Sequence, residues 1–131
     1  MKRINLQYWV PMGLFAAAMA ASGVADLVQA PPMVESMSHL GYPLFLATLL
    51  GIWKLLGVGA LLIPGAPRLK EWAYAGFAFE LTGAAFSHAA VGDGFGQVVT
   101  PLVVLALGLT SWRLAPSSRR LELDALQPQA A

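Results

Sequence analysis

The chain has 131 residues, a formal net charge of +1 and no cysteine; 57% of its residues are hydrophobic and 11% charged. Soluble domains carry about 25% charged residues, so this composition excludes an ordinary soluble domain. The near-neutral charge gives no electrostatic footprint for nucleic acid, and the lack of thiols excludes dithiol redox chemistry, thiolate metal sites and disulfides within the chain.

Four apolar segments follow one another. The first runs from Tyr8 to Val28 with no charge before Asp26. Lys2 and Arg3 before it, and Gly23-Val24-Ala25 near its end, also fit a cleavable leader, although the apolar run is long for one. Pro31-Pro32 ends this segment. Between Gln29 and Gly41, Met33, Val34, Met37 and Leu40 recur at helical spacing, which predicts a short interfacial helix. The second segment runs from Tyr42 to Ile63 and is interrupted by Lys54. Pro64-Gly65-Ala66-Pro67 makes a tight turn. The third, from Trp72 to Val91, is interrupted by Glu80 and His88; Gly92-Asp93-Gly94 turns the chain into the uncharged fourth, from Phe95 to Trp112. Each is long enough to cross about 30 Å of hydrocarbon at about 1.5 Å per residue.

The expectation is therefore an all-α fold: an antiparallel bundle of four transmembrane helices over residues 1–115, followed by a mobile polar tail over 116–131. Seven of the eight Lys and Arg residues lie before the first segment, between the second and third, or after the fourth. The other two loops carry Glu35, His39 and Asp93. This bias predicts a plasma (inner) membrane protein with both termini cytoplasmic. Tyr8, Trp9, Trp72, Tyr74 and Trp112 would form the cytoplasmic aromatic belt. Gly13 with Ala17, Gly57 with Gly59, Gly76, and Gly83 with Ala84 would let helices approach closely.

Lys54 and Glu80 carry most of the chemical information. A charge at mid-bilayer costs about 2.5–3.5 kcal/mol on insertion scales, so such groups face partners or cavities. Lys54 lies ten residues before Pro64 and Glu80 eight after Trp72, so both reach mid-depth and an ion pair across the hairpin is expected. That pair either fixes register or forms a proton or substrate site. His88 and Asp26 fall at a common, shallower depth, which predicts a contact between them; Ser22 shares the face of Asp26, and Ser87 lies on the face of Glu80 and His88. Trp53, beside Lys54, either packs against lipid or stacks on a ligand. Asp26, Glu80 and His88 have no metal-ligand spacing, and no metal site is expected.

The runs Gly51-Ile-Trp-Lys54-Leu-Leu-Gly57, Leu61-Leu-Ile-Pro64 and Pro67-Arg-Leu-Lys-Glu-Trp-Ala-Tyr-Ala-Gly76, together with Glu80-Leu-Thr-Gly-Ala-Ala-Phe-Ser-His88 and Leu40-Gly-Tyr-Pro43, resemble the DoxX-like family. The resemblance covers about residues 10–112. It implies a four-helix integral membrane protein and marks Lys54, Glu80, Ser87 and His88, with Glu71 and Trp72 at the turn. It also implies association with redox complexes, among them thiosulfate:quinone oxidation; the cysteine chemistry of some relatives has no counterpart here.

Three functions are expected in competition. One is an accessory subunit that binds a redox partner at the cytoplasmic face or holds a quinone or lipid in the polar core formed by Lys54, Glu80, Ser87, His88, Asp26 and Trp53. The second is an intramembrane isomerase or hydrolase in which Glu80, His88 and Asp26 perform acid/base work on a lipophilic substrate. The third is a small transporter or proton path, closed by a homo-oligomer.

Overall fold

A computed structural model describes residues 5–121. These form five α-helices and a 3₁₀ turn, with no strand among the described residues: α1 Leu6–Leu27, α2 Pro31–Leu40, α3 Leu44–Leu62, α4 Pro67–Ala90 and α5 Phe95–Arg113, then Ser117–Arg119. The short helix expected after the first segment is α2. Pro31 and Pro32 occupy its first turn, where their missing N–H groups cost nothing, and Gly41 closes it at φ 79°.

α1, α3 and α5 are long and apolar enough to cross a membrane. α4 has 24 residues but not the hydropathy, because Arg68, Lys70, Glu71, Glu80 and His88 dilute its apolar run. It begins five residues before the expected Trp72, since Pro67 is preorganised for a first helical turn.

α1 packs against α3 and α5, and α4 against α3 and α5, while α2 lies on α3. Tyr8, Met12, Phe15 and Met19 of α1 form one buried stripe, joined by Val58 and Leu61 of α3 and by Phe77 and Leu81 of α4. The outer faces remain apolar: Phe45, Leu56, Phe79, Phe86 and Phe95 are all exposed. In water such a surface would aggregate; in lipid it is the natural exterior.

The small residues act differently from expectation. Gly13, Gly59, Gly76 and Gly83 have open space where a Cβ would stand. Gly57 and Gly108 instead seat the rings of Phe77 and Phe15, which stack edge-to-face at 5.3 Å. Two helix backbones approach closely at Gly23 and Gly51: a Cβ on Gly51 would lie 2.8 Å from the Gly23 carbonyl oxygen.

The aromatic set gathers at the end of the molecule that carries the α3–α4 turn. Trp9, Trp72 and Trp112 are exposed there, but Tyr8 is buried and belongs to the core. Arg119 donates to the Leu62 and Ile63 carbonyls at 2.9 and 3.3 Å, and its guanidinium lies 4.7 Å from the centre of the Trp9 ring. The beginning of the expected polar tail is thus held against the helices; residues 122–131 lie outside the described residues.

Candidate functional site in the helix interior

The close crossing at Gly23 and Gly51 brings the backbones of α1 and α3 together one turn from two charged residues. Asp26 follows Gly23 by three positions and Lys54 follows Gly51 by three, so both side chains emerge beside the crossing. Lys54 Nζ donates to Asp26 Oδ2 at 2.7 Å and to Ser22 Oγ at 2.9 Å. From α4, Glu80 Oε1 approaches the same ammonium at 2.9 Å. The Lys54–Glu80 pair expected from the sequence is therefore present, but within a triad whose third member, Asp26, was expected elsewhere.

Burial is graded across the triad. The Asp26 side chain is fully buried, that of Lys54 is 8% exposed and that of Glu80 is 19% exposed. Asp26 Oδ1 is buried without a hydrogen-bond partner. Three oxygens surround Lys54 Nζ, matching its three N–H groups. Glu80 Oε2 has no hydrogen-bond partner among the described residues.

Asp26 and His88 do not meet. His88 Nδ1 pairs instead with Asp93 Oδ2 at 2.6 Å, while Asp93 Oδ1 pairs with His39 Nε2, also at 2.6 Å. One carboxylate thus joins the end of α2 to the end of α4. The two imidazoles hold the Asp93 carboxyl below its ordinary pKa, His88 more than His39. Tyr42, at the entry to α3, shares a 2.5 Å hydrogen bond with Ser87 of α4, and Ser87 also donates to the Gly83 carbonyl.

Ser22, Lys54, Glu80, Tyr42, Ser87 and His88 line a cavity of about 450 Å³. Lys54 and Glu80 lie at its polar end, Tyr42, Ser87 and His88 further along, and Met33, Met37 and Leu40 of α2 cover it. Its size falls within the range of about 300–1,000 Å³ typical of small-molecule sites. Trp53 is not part of it. It is 57% exposed and lines a second groove with Leu56, Leu69, Trp72 and Gly76 along α3 and α4. Glu80 borders both spaces. Among the described residues no group of His, Asp and Glu is arranged to hold a metal ion.

The DoxX-like family matches residues 10–111. The chain belongs to the DoxX-like family. No curated protein and no solved structure matches it. For this DoxX-like protein the residues marked by the resemblance fall in two places. Lys54, Glu80, Ser87 and His88 line the cavity, whereas Glu71 lies at the turn end and accepts a hydrogen bond from Trp112 Nε1 at 2.9 Å. Asp26 and Ser22, which complete the polar core, lie outside the runs that carried the resemblance. The signal for Asp26 was its position as the one charge in an otherwise apolar helix.

Proposed function

We propose that this DoxX-like protein is a four-span plasma-membrane protein whose polar core holds the head of a lipophilic molecule, the class to which quinones and lipids belong, and that it serves as a binding or accessory subunit of a redox complex. The observation that carries the reading is the cavity itself: a largely apolar space with the paired Lys54 and Glu80 among the residues that line it. Family membership supports the membrane setting.

α4 supplies the fourth span in this reading. At about 1.5 Å per residue its 24 residues extend about 36 Å, more than the hydrocarbon thickness. The charges that lower its hydropathy are accommodated: Arg68, Lys70 and Glu71 sit in its first turns, and Glu80 is paired with Lys54. Arg68, Lys70, Arg113, Arg119 and Arg120 share one end and Glu35, His39 and Asp93 the other, which supports cytoplasmic termini. The cytoplasmic end also presents the exposed Glu71–Trp112 pair, where a redox partner would dock.

The test is mass spectrometry of small molecules retained by the purified protein, wild type against Glu80→Gln. A lipid or quinone held by the wild type and absent from the variant is expected. Empty wild-type protein that remains folded would count against the reading.

A further inference from the structure

The charge of the polar core is unbalanced. Asp26 and Glu80 bring two carboxylates to a single ammonium, that of Lys54. Nothing else on the packed helices corrects this. On α1 the neighbouring polar group is Ser22, a hydroxyl. On α3 Lys54 is alone. On α4 the next ionisable group is His88, two turns further along and paired with Asp93, which also holds His39 of α2. α5 presents no ionisable side chain before Arg113, at its far end. Fully ionised, the triad therefore carries one negative charge in an apolar interior, where an uncompensated charge is strongly disfavoured. Either a bound proton or a bound cation must neutralise it.

The cavity is built for the second option as well as the first. Lys54 has its three oxygens and offers nothing further to a ligand. Of the two carboxylates only Glu80 lines the cavity, which is about 450 Å³ in volume and shared with the methionines of α2. An anionic head would meet net negative charge there. A neutral head would leave the excess carboxylate charge uncompensated. A cation meets the Glu80 carboxylate, and its apolar body meets Met33, Met37 and Leu40.

We infer that the cavity binds a lipophilic cation in exchange for one proton held by the Asp26–Lys54–Glu80 triad. The inference rests on the lipophile-binding reading above and adds the charge class of the ligand. In the empty site the excess charge is cancelled by a carboxyl proton. When the cation enters, that O–H bond breaks, the proton passes to bulk water, and the cation stands against the carboxylate with no covalent bond formed. Proton and cation therefore compete for one site.

The experiment is calorimetric titration of the full chain in lipid nanodiscs with tetraphenylphosphonium, repeated in buffers of different ionisation enthalpy, and with decylubiquinone as an uncharged lipophile. Tetraphenylphosphonium is expected to bind with release of about one proton, and its affinity to fall as pH is lowered, by up to about tenfold per unit for a one-proton exchange. Glu80→Gln should weaken it at least tenfold and abolish the proton release. Asp26→Asn, which does not line the cavity, should also abolish the release because it balances the charge; this second variant keeps the test valid if Glu80→Gln fails to fold. Cation binding without proton release, or unchanged in both variants, would overturn the exchange. Binding of decylubiquinone but not of the cation would overturn the charge class and leave the lipophile site standing. Binding of neither would overturn both.

Discussion

Lys54 Nζ donates to Asp26 Oδ2 at 2.7 Å, with both side chains almost wholly buried, and this bond ties α3 to α1 in the same place that Glu80 ties α3 to α4. The lysine is thus the shared partner of two carboxyl groups, and the three side chains stand on three helices. Removing it does not have the same consequence as removing either carboxylate charge. Lys54→Met leaves both carboxyl groups without their shared cation, the situation that costs about 3–5 kcal/mol when one partner of a buried pair is lost. Glu80→Gln leaves a matched Lys54–Asp26 pair and is expected to cost about 1 kcal/mol, the scale of one hydrogen bond. Thermal unfolding in detergent should place Lys54→Met far below Glu80→Gln. Equal melting temperatures would mean that the triad does not hold the helices together.

The Gly23–Gly51 crossing sets the reach of that lysine. A methyl group on Gly51 would lie 2.8 Å from a backbone oxygen and 2.9 Å from Leu27 Cγ, so α1 must move away from α3. Gly51→Ala should destabilise by about 1–3 kcal/mol as an overpacking change. Gly59→Ala, on the same helix with open space around it, removes a helix-weakening glycine and should be neutral or stabilising by up to about 1 kcal/mol. The comparison within one helix separates packing from propensity and is read by the same melting measurement.

Much of this arrangement was legible in the chain, and the gaps have physical causes. A lysine and a glutamate inside apolar runs, at similar distances from the Pro64-Gly65 turn, could hardly avoid each other. The short helix α2 was legible from the spacing of Met33, Met37 and Leu40. Asp26 was misdirected because depth alone paired it with His88; the long stem of Lys54 reaches Asp26 instead, and Asp93 in the short α4–α5 turn takes His88. Depth is one coordinate, and rotation about each helix axis is not written in it. Gly23 and Gly51 were not among the small residues expected to mediate close approach, because each meets a glycine on another helix and that pairing is not written in the spacing along either one. The buried state of Tyr8 was hidden for a similar reason: an aromatic next to Trp9 at a helix start looks like a membrane belt from either side.

At the opposite end, Arg119 meets the carbonyls of Leu62 and Ile63, which the end of α3 leaves without helical donors. Lys70 donates to the Ile63 and Gly65 carbonyls from the first turn of α4. The two cations share the work of closing the turn, so neither alone is essential. Arg119→Ala should cost about 0.5–1.5 kcal/mol, the scale of one or two exposed hydrogen bonds with a cation–aromatic contact. The quenching of Trp9 fluorescence by an aqueous quencher should rise in the variant as the guanidinium leaves its ring. Unchanged quenching would show that the 3₁₀ turn does not cover Trp9 in solution.

Asp93 gives the molecule its own acid response, distinct from that of the triad. The imidazoles of His88 and His39 hold its carboxyl below the ordinary value of 3.8, so the folded protein binds that proton less readily than the unfolded chain does. The stabilisation that Asp93 contributes is complete above the unfolded value and is lost as pH falls through the lower folded value. The bond at risk is the one that holds α2 over the cavity: Asp93 joins His39 at the end of α2 to His88 near the end of α4. Spin labels placed at Glu35 of α2 and Ala89 of α4 should report a narrow distance distribution above the ordinary Asp value of 3.8 and a broadening one as pH is lowered beneath it. Asp93→Asn removes the carboxylate at every pH and should give the broad distribution throughout. A narrow distribution in the variant would mean that packing of Met37 and Leu40 alone keeps α2 in place, and the two histidines would then have no part in covering the cavity.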